Sequence, residues 1–429
     1  MNKKINLAVL FFGAFFPVIL RVVFPNVYHG GDLSTYLEWA SQTTSLKEIY
    51  NTNCYCTYPF VGLLASVGLL KLVHANVFIF LLLLSFIDCI NVFLIYFILT
   101  KLNIRYVGIW GGIIGSLPST WAGGALWGQV DAFSQFLILS SLLTIIFYNN
   151  QKIRTKHFTL YICVIGIEFS LLLMTKPQLL FSIIPLSFLM LLNIYLHGKI
   201  DVKCILKYVF LLFFFSIIPV LIIDRWLTLP SYIHISHLER FLAKSGDVMN
   251  VLSDNGFNIW ILLNRDAHSC SYIPIMPHLT PYRGGFILFL ITFFVLTLVL
   301  FKQTKRHMQS HLSKELIVLY IFYLSLINLS FNLFLTGTHE RYLVHFYPYL
   351  FIVLLATNSQ RTTRRATMIL SFSICGSILY GLFVLSILLQ HPIFGFNILL
   401  LVFHLALFLF LFKEFCLGIV KEDLHRFLS

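Results

Sequence analysis

The chain has 429 residues, of which 59% are hydrophobic and only 11% charged, with a mean hydropathy of +0.87. That is too little polar surface to cover a water-soluble globule of this size, so a soluble fold is excluded and an all-α polytopic membrane protein is expected. The net charge of +13 does not point to nucleic acid. Lys and Arg fall in short clusters between apolar runs, at Lys3-Lys4, Lys152 to Lys156, Lys199 to Lys207, Lys302 to Arg306 and Arg361 to Arg365, which is the positive-inside pattern with anionic lipid as partner.

A helix needs about 20 apolar residues to span a bilayer. Such runs occupy 5–25, 58–74, 76–100, 107–117 with 129–149, 158–174, 177–196, 207–226, 284–302, 316–336, 342–357, 367–389 and 394–413, predicting eleven or twelve crossings. The first run follows Lys3-Lys4, carries Arg21 near its end and shows no small-residue cleavage site. It reads as a retained signal anchor with a cytoplasmic N-terminus. With the basic loops inside, 118–131, 174–178, 227–282, 337–341 and 390–393 share the far side. Near the start the count does not close, because two full spans from 58 to 100 would put Lys101 and Arg105 outside. One early run, taken as 107–117 with Gly111, Gly112 and Gly115, is therefore expected to be re-entrant. The outer loops 26–57 and 227–282 are polar enough to cap a single domain, 1–429, with short loop helices. Cys54, Cys56 and Cys270 fall in predicted loops, where either of the first two could bridge to the third.

Five polar constellations lie on that far side. In His29-Gly30-Gly31-Asp32, Asp32 reads either as a helix N-cap or as a carboxylate at the bilayer surface, able to take a proton from an acceptor hydroxyl. Trp127-Gly128-Gln129-Val130-Asp131 opens an apolar run in which Asp131 and Gln135 share a helical face, as a buried polar pair would. Asp131 could equally cap the helix or offset its dipole. Lys176-Pro177-Gln178 joins two spans; the lysine either snorkels or, where basic residues are scarce, meets a phosphate. Asn255, Asn258 and Trp260 place amide and aromatic groups in the long outer loop, suited to a sugar or to interfacial anchoring. The tightest knot is Gly337-Thr338-His339-Glu340-Arg341-Tyr342. It supplies two potential cations and one anion at the membrane edge, with His345 and Tyr347 beyond, against the alternative of a Glu340–Arg341 pair closing a loop. No Walker loop, dinucleotide fingerprint, metal spacing or nucleophile elbow occurs in the sequence.

The ordered set Gly31-Asp32-Leu33, Tyr36-Leu37-Glu38-Trp39, Tyr58-Pro59, 127–131, 176–178, 255–260 and His339-Glu340-Arg341-Tyr342 resembles the polytopic mannosyltransferases related to PIG-V, in the GT-C superfamily. Leu33 beside the first-loop aspartate is closer to the prokaryotic relatives. The resemblance implies a GT-C type helical bundle and inverting transfer of a sugar, mannose in that family, from a polyprenyl-phosphate donor to a lipid-linked or glycan acceptor. It also implies a catalytic aspartate in the first outer loop, here Asp32. Arg341, Lys176 and His339 would then hold the donor phosphate, and Gln129, Asp131, Gln178, Glu340, Asn255, Asn258 and Trp260 would orient Asp32 or the sugar. No metal or other cofactor is expected, since a singly esterified leaving phosphate can be held by protein cations. We place the protein in a bacterial plasma membrane, with the endoplasmic reticulum as the alternative. A transporter or flippase of lipid-linked saccharides, and a polysaccharide polymerase or ligase using Arg265, His268, His278 and Arg283, remain the competing functions.

Overall fold

The computed structural model describes residues 3–28, 30–46, 48–49, 59–149, 155–176, 179–197, 202–228, 250–253, 256–263, 269–307, 312–358, 364–391 and 395–418. Among these residues the regular structure is helical, with only isolated β-bridges. In chain order the main helices are α1 (Lys3–Val23), α2 (Gly30–Gln42), α3 (Phe60–Leu72), α4 (Val77–Lys101), α5 (Val107–Ser116), α6 (Asp131–Asn149) and α7 (Thr155–Leu173). They continue as α8 (Leu180–His197), α9 (Val202–Thr228), α10 (Pro281–His307), α11 (Lys314–Phe334), α12 (Tyr347–Asn358), α13 (Arg364–Leu388) and α14 (Phe396–Lys413). Among the described residues eight helices are long and apolar enough to cross a membrane, so the chain is an integral, multi-pass membrane protein.

Packing settles the topology of the first third. Gly108 lies against Asn6, Gly112 against Val9 and Gly115 against Gly13, and the Ile109 amide donates to Asn6 Oδ1 at 2.9 Å. The partners ascend together, so α5 runs parallel to α1, at a spacing that only small residues permit. The chain continues through a turn of helix at Pro118–Trp121 and a π-helical turn at Ala122–Trp127, reaching Arg21 near the outer end of α1. Residues 107–127 therefore cross the bilayer beside α1 as a broken helix. The expectation of a re-entrant 107–117 is corrected.

The run that does not cross is α3. At about 1.5 Å per residue it is roughly 20 Å long, against a hydrocarbon core of about 30 Å. It packs Leu63, Val67 and Leu70 on Leu33, Tyr36 and Trp39 of α2 and on Phe80, Leu81 and Leu84 at the start of α4. With α3 not crossing, α4 brings Lys101 and Arg105 back to the end of the bundle where α1 begins at Lys3 and Lys4, beside the Ile109–Asn6 contact, as the charge rule requires. Among the described residues the eight long helices, the broken 107–127 passage and the shorter helices α7, α8 and the 341–357 element make twelve passages.

Helix α11 is largely apolar and buried on every side, which makes it the centre of the bundle. Helices α9 and α10 present Phe210, Phe213, Phe214, Phe286 and Phe294 outward, as lipid-facing helices do. Of the cysteines expected in loops, Cys54 and Cys56 lie outside the described residues, and Cys270 Sγ donates to Asn250 Oδ1 at 2.9 Å.

Candidate active site

Helix α2 begins at Gly30, so Asp32 sits in its first turn and not at the N-cap position expected for a helix over 33–41. An acidic group there suits the positive end of the helix dipole. Its carboxylate turns toward the chain that follows α5. Trp127 Nε1 donates to Asp32 Oδ2 at 3.3 Å, and Arg341 Nη1 lies 3.3 Å from the same oxygen. The Asp32 side chain keeps 25% exposure whereas Arg341 keeps 6%, so the carboxylate is the open member of the pair.

Trp127 is presented by local backbone geometry. The π-helical turn ends at Gly128, whose φ of +87° lies in the left-handed region that disfavours a side chain. The chain then turns into α6 with Asp131 in its first turn. Gln129 Oε1 accepts from Tyr36 OH of α2 at 3.2 Å, a second tie between α2 and this turn.

Behind Asp32 lies a buried charge cluster. Asp131 is wholly buried, with Lys176 Nζ at 2.7 Å from Oδ1, Arg341 Nε at 3.6 Å from Oδ2 and His345 Nε2 at 3.9 Å from Oδ1. Arg341 thus reaches both carboxylates, one through Nη1 and the other through Nε. Two aspartates face a lysine and an arginine, so each buried charge of the cluster has an opposite charge beside it, without which burial would be prohibitive. The floor of the cluster comes from α6 and the 340–349 segment: His345 Nδ1 lies 3.2 Å from Gln135 Oε1, which also accepts from Tyr349 OH at 2.9 Å. Asp131 and Gln135 share a buried face, as their spacing predicts.

The other expected residues take different places. Lys176 is buried on Asp131, so its ammonium is held by that carboxylate and does not lie open. Its loop is anchored by Met174 O, which accepts from the Val61 and Gly62 amides at the start of α3. His339 is buried and packs edge-on against the Tyr342 ring at 5.3 Å. Asn258 Nδ2 donates to Leu252 O, Leu335 O and Thr338 Oγ1 at 2.8, 3.0 and 3.0 Å, and Trp260 Nε1 donates to Phe334 O at 2.6 Å. Those side chains tie the outer loop to the 334–338 turn that leads to Arg341. Asn255 and Gln178 lie outside the described residues, as does the Glu340 side chain.

Two participants escape the motif reading, Arg21 and Asp88. Both are buried, and both bond the backbone of Ala125 just ahead of Trp127, Arg21 its carbonyl and Asp88 its amide. The signal for each is a charged residue within an apolar run, which is a functional pointer by default in a membrane. Among the described residues no three of His, Cys, Asp and Glu gather as metal ligands. Neither a protein-family model nor a curated relative matches this sequence. The geometry can hold an anion at Arg341 and deliver a proton to Asp32 on the same rim.

Proposed function

We propose that this protein is a membrane glycosyltransferase of GT-C type. In this reading it moves a sugar, taken as mannose, from a polyprenyl-phosphate donor to a lipid-linked or glycan acceptor with inversion. The observation that carries it is the partly open Asp32 carboxylate held between Trp127 Nε1 and Arg341 Nη1, above the buried Asp131–Lys176 pair. An accessible carboxylate and a guanidinium at the outer membrane edge are the two groups such a transfer needs, one for the acceptor proton and one for the leaving phosphate.

The acceptor hydroxyl oxygen attacks the anomeric carbon and gives its proton to Asp32. The bond from that carbon to the phosphate oxygen breaks, and the lipid phosphate leaves with the electron pair, stabilised by Arg341. Attack and departure occupy opposite faces of the sugar, so the base and the phosphate grip cannot stay 3.3 Å apart during reaction. The donor sugar therefore wedges between Asp32 and Arg341, and Arg341 exchanges one carboxylate for the phosphate. Asp131 keeps the guanidinium oriented through Nε, and Lys176 keeps Asp131 in place.

The test is transfer of radiolabelled mannose from synthetic polyprenyl-phosphate mannose to endogenous lipid acceptors, in membranes expressing the wild type or Asp32→Asn. Transfer by the wild type that vanishes in the variant, at equal expression, supports the enzyme and the base together. Near-normal transfer in Asp32→Asn removes the base. Absence of transfer by the wild type from a panel of polyprenyl-phosphate sugars removes the enzyme class.

A further inference from the structure

Arg21 is fully buried at the outer end of α1, although nothing in the proposed chemistry uses it directly. Its guanidinium is spread over backbone carbonyls from two separate chain segments. Nη1 donates to Phe24 O at 3.0 Å and to Pro25 O at 3.1 Å, and Nη2 to Val27 O at 2.9 Å. Nε donates to Ala125 O at 3.0 Å, Nη2 also reaches Ala125 O, and it lies 3.4 Å from Leu126 O. The first group of carbonyls belongs to the chain that enters α2 and Asp32. The second belongs to the π-helical turn that ends in Trp127.

The peptide group on the other side of the Ala125 Cα is held as well. Ala125 N donates to Asp88 Oδ2 at 3.1 Å, and a Cβ at Gly124 would fall 2.4 Å from that oxygen, so glycine is what lets Asp88 come so close. Arg21 from α1 and Asp88 from α4 therefore hold the two successive peptide groups on either side of the Ala125 Cα, two residues before Trp127. A planar guanidinium is the side chain able to fan five N–H groups over that many acceptors; a lysine ammonium has three and no fixed plane.

We propose that Arg21 is a positioning residue that sets the distance between Asp32 and the Trp127 indole by tying together the two chain segments that present them. This rests on the reading of Asp32 as the reactive carboxylate for its kinetic consequence, but not for its structural one. Asp88 completes the grip by holding the preceding peptide group through the Ala125 amide. The ties at Tyr36–Gln129 and Trp127–Asp32 then close a ring around the open carboxylate.

The experiment uses the full chain in detergent with its six tryptophans labelled with ¹⁵N at the indole nitrogen. The Trp127 cross-peak is assigned by its loss in Trp127→Phe, and Asp32→Asn calibrates the shift on losing the carboxylate partner. In Arg21→Lys, Arg21→Gln and Arg21→Met the Trp127 peak is expected to move toward its Asp32→Asn position while the other five stay in place. In transfer assays the same variants are expected to lose kcat by roughly 10- to 100-fold, the scale of an ångström-sized misplacement, with little change in donor KM. A Trp127 peak that stays at its wild-type position in a folded Arg21 variant would overturn the proposal. So would collapse of all six peaks in every variant, because Arg21 would then hold the whole fold and not this contact. A wild type without transferase activity overturns the proposed function and leaves the spectroscopic arm to decide the role of Arg21.

Discussion

Replacing Lys176 by Met removes the nearest cation from a carboxylate that has no exposure, while Arg341 stays at 3.6 Å. At 2.7 Å and an effective dielectric of about 20, the lost attraction is about 6 kcal/mol. Part of that is returned because the ammonium no longer has to be desolvated, so the net loss expected for breaking one side of a buried pair is about 3–5 kcal/mol. Asp131→Leu alone is expected to lose a similar amount, since it leaves Lys176 and Arg341 facing each other. The double variant Lys176→Met/Asp131→Leu removes both charges and fills the space with apolar atoms, and it is expected to recover most of the stability. Catalysis is not expected to recover with it, because Arg341 has then lost the carboxylate that aims its guanidinium. The assay pairs thermal unfolding in detergent, read by fluorescence-detected size exclusion, with mannose transfer on the same preparations. Additive destabilisation in the double variant would refute the pairing. Full transfer in a stable double variant would refute the claim that Asp131 orients Arg341.

Other outcomes follow from the same contacts. Gly124→Ala pushes a methyl to 2.4 Å from Asp88 Oδ2 and is expected to destabilise the protein by about 1–3 kcal/mol, measured as a lowered unfolding temperature. A cysteine at Leu72, which is exposed beside the outer cap, should react with a membrane-impermeant maleimide from outside, whereas one at Arg105 should react only after permeabilisation; the reverse pattern would refute the assignment of α3 as the element that does not cross. Transfer is expected to survive EDTA undiminished, and a loss restored by one divalent cation would show that the leaving phosphate needs more than Arg341 and its neighbours.

The membrane class and the approximate helix boundaries are legible along the chain, because hydropathy is local and sums over tens of residues. The shared buried face of Asp131 and Gln135 is legible for the same reason, since a helical repeat of 3.6 places i and i+4 together. The topology of residues 58–127 is not. Both α3 and the 107–127 passage are apolar and glycine-bearing, and which of them crosses is decided by the parallel contact of Gly108, Gly112 and Gly115 with α1.

The site divides in the same way. That an aspartate after a glycine pair, a tryptophan, a lysine and an arginine lie at one membrane face comes from order and sidedness alone. Which cation serves which carboxylate depends on side chains 45, 210 or more than 300 positions apart in the chain. Residue type does not distinguish a lysine buried on an aspartate from one open to a phosphate, or an asparagine that binds sugar from one that binds backbone, as Asn258 does. Arg21 shows the limit most sharply: the chain marks it as a charge out of place, and only the fold reveals the two lengths of backbone that its guanidinium holds together, because those carbonyls become neighbours only when α1 and the 107–127 passage lie side by side.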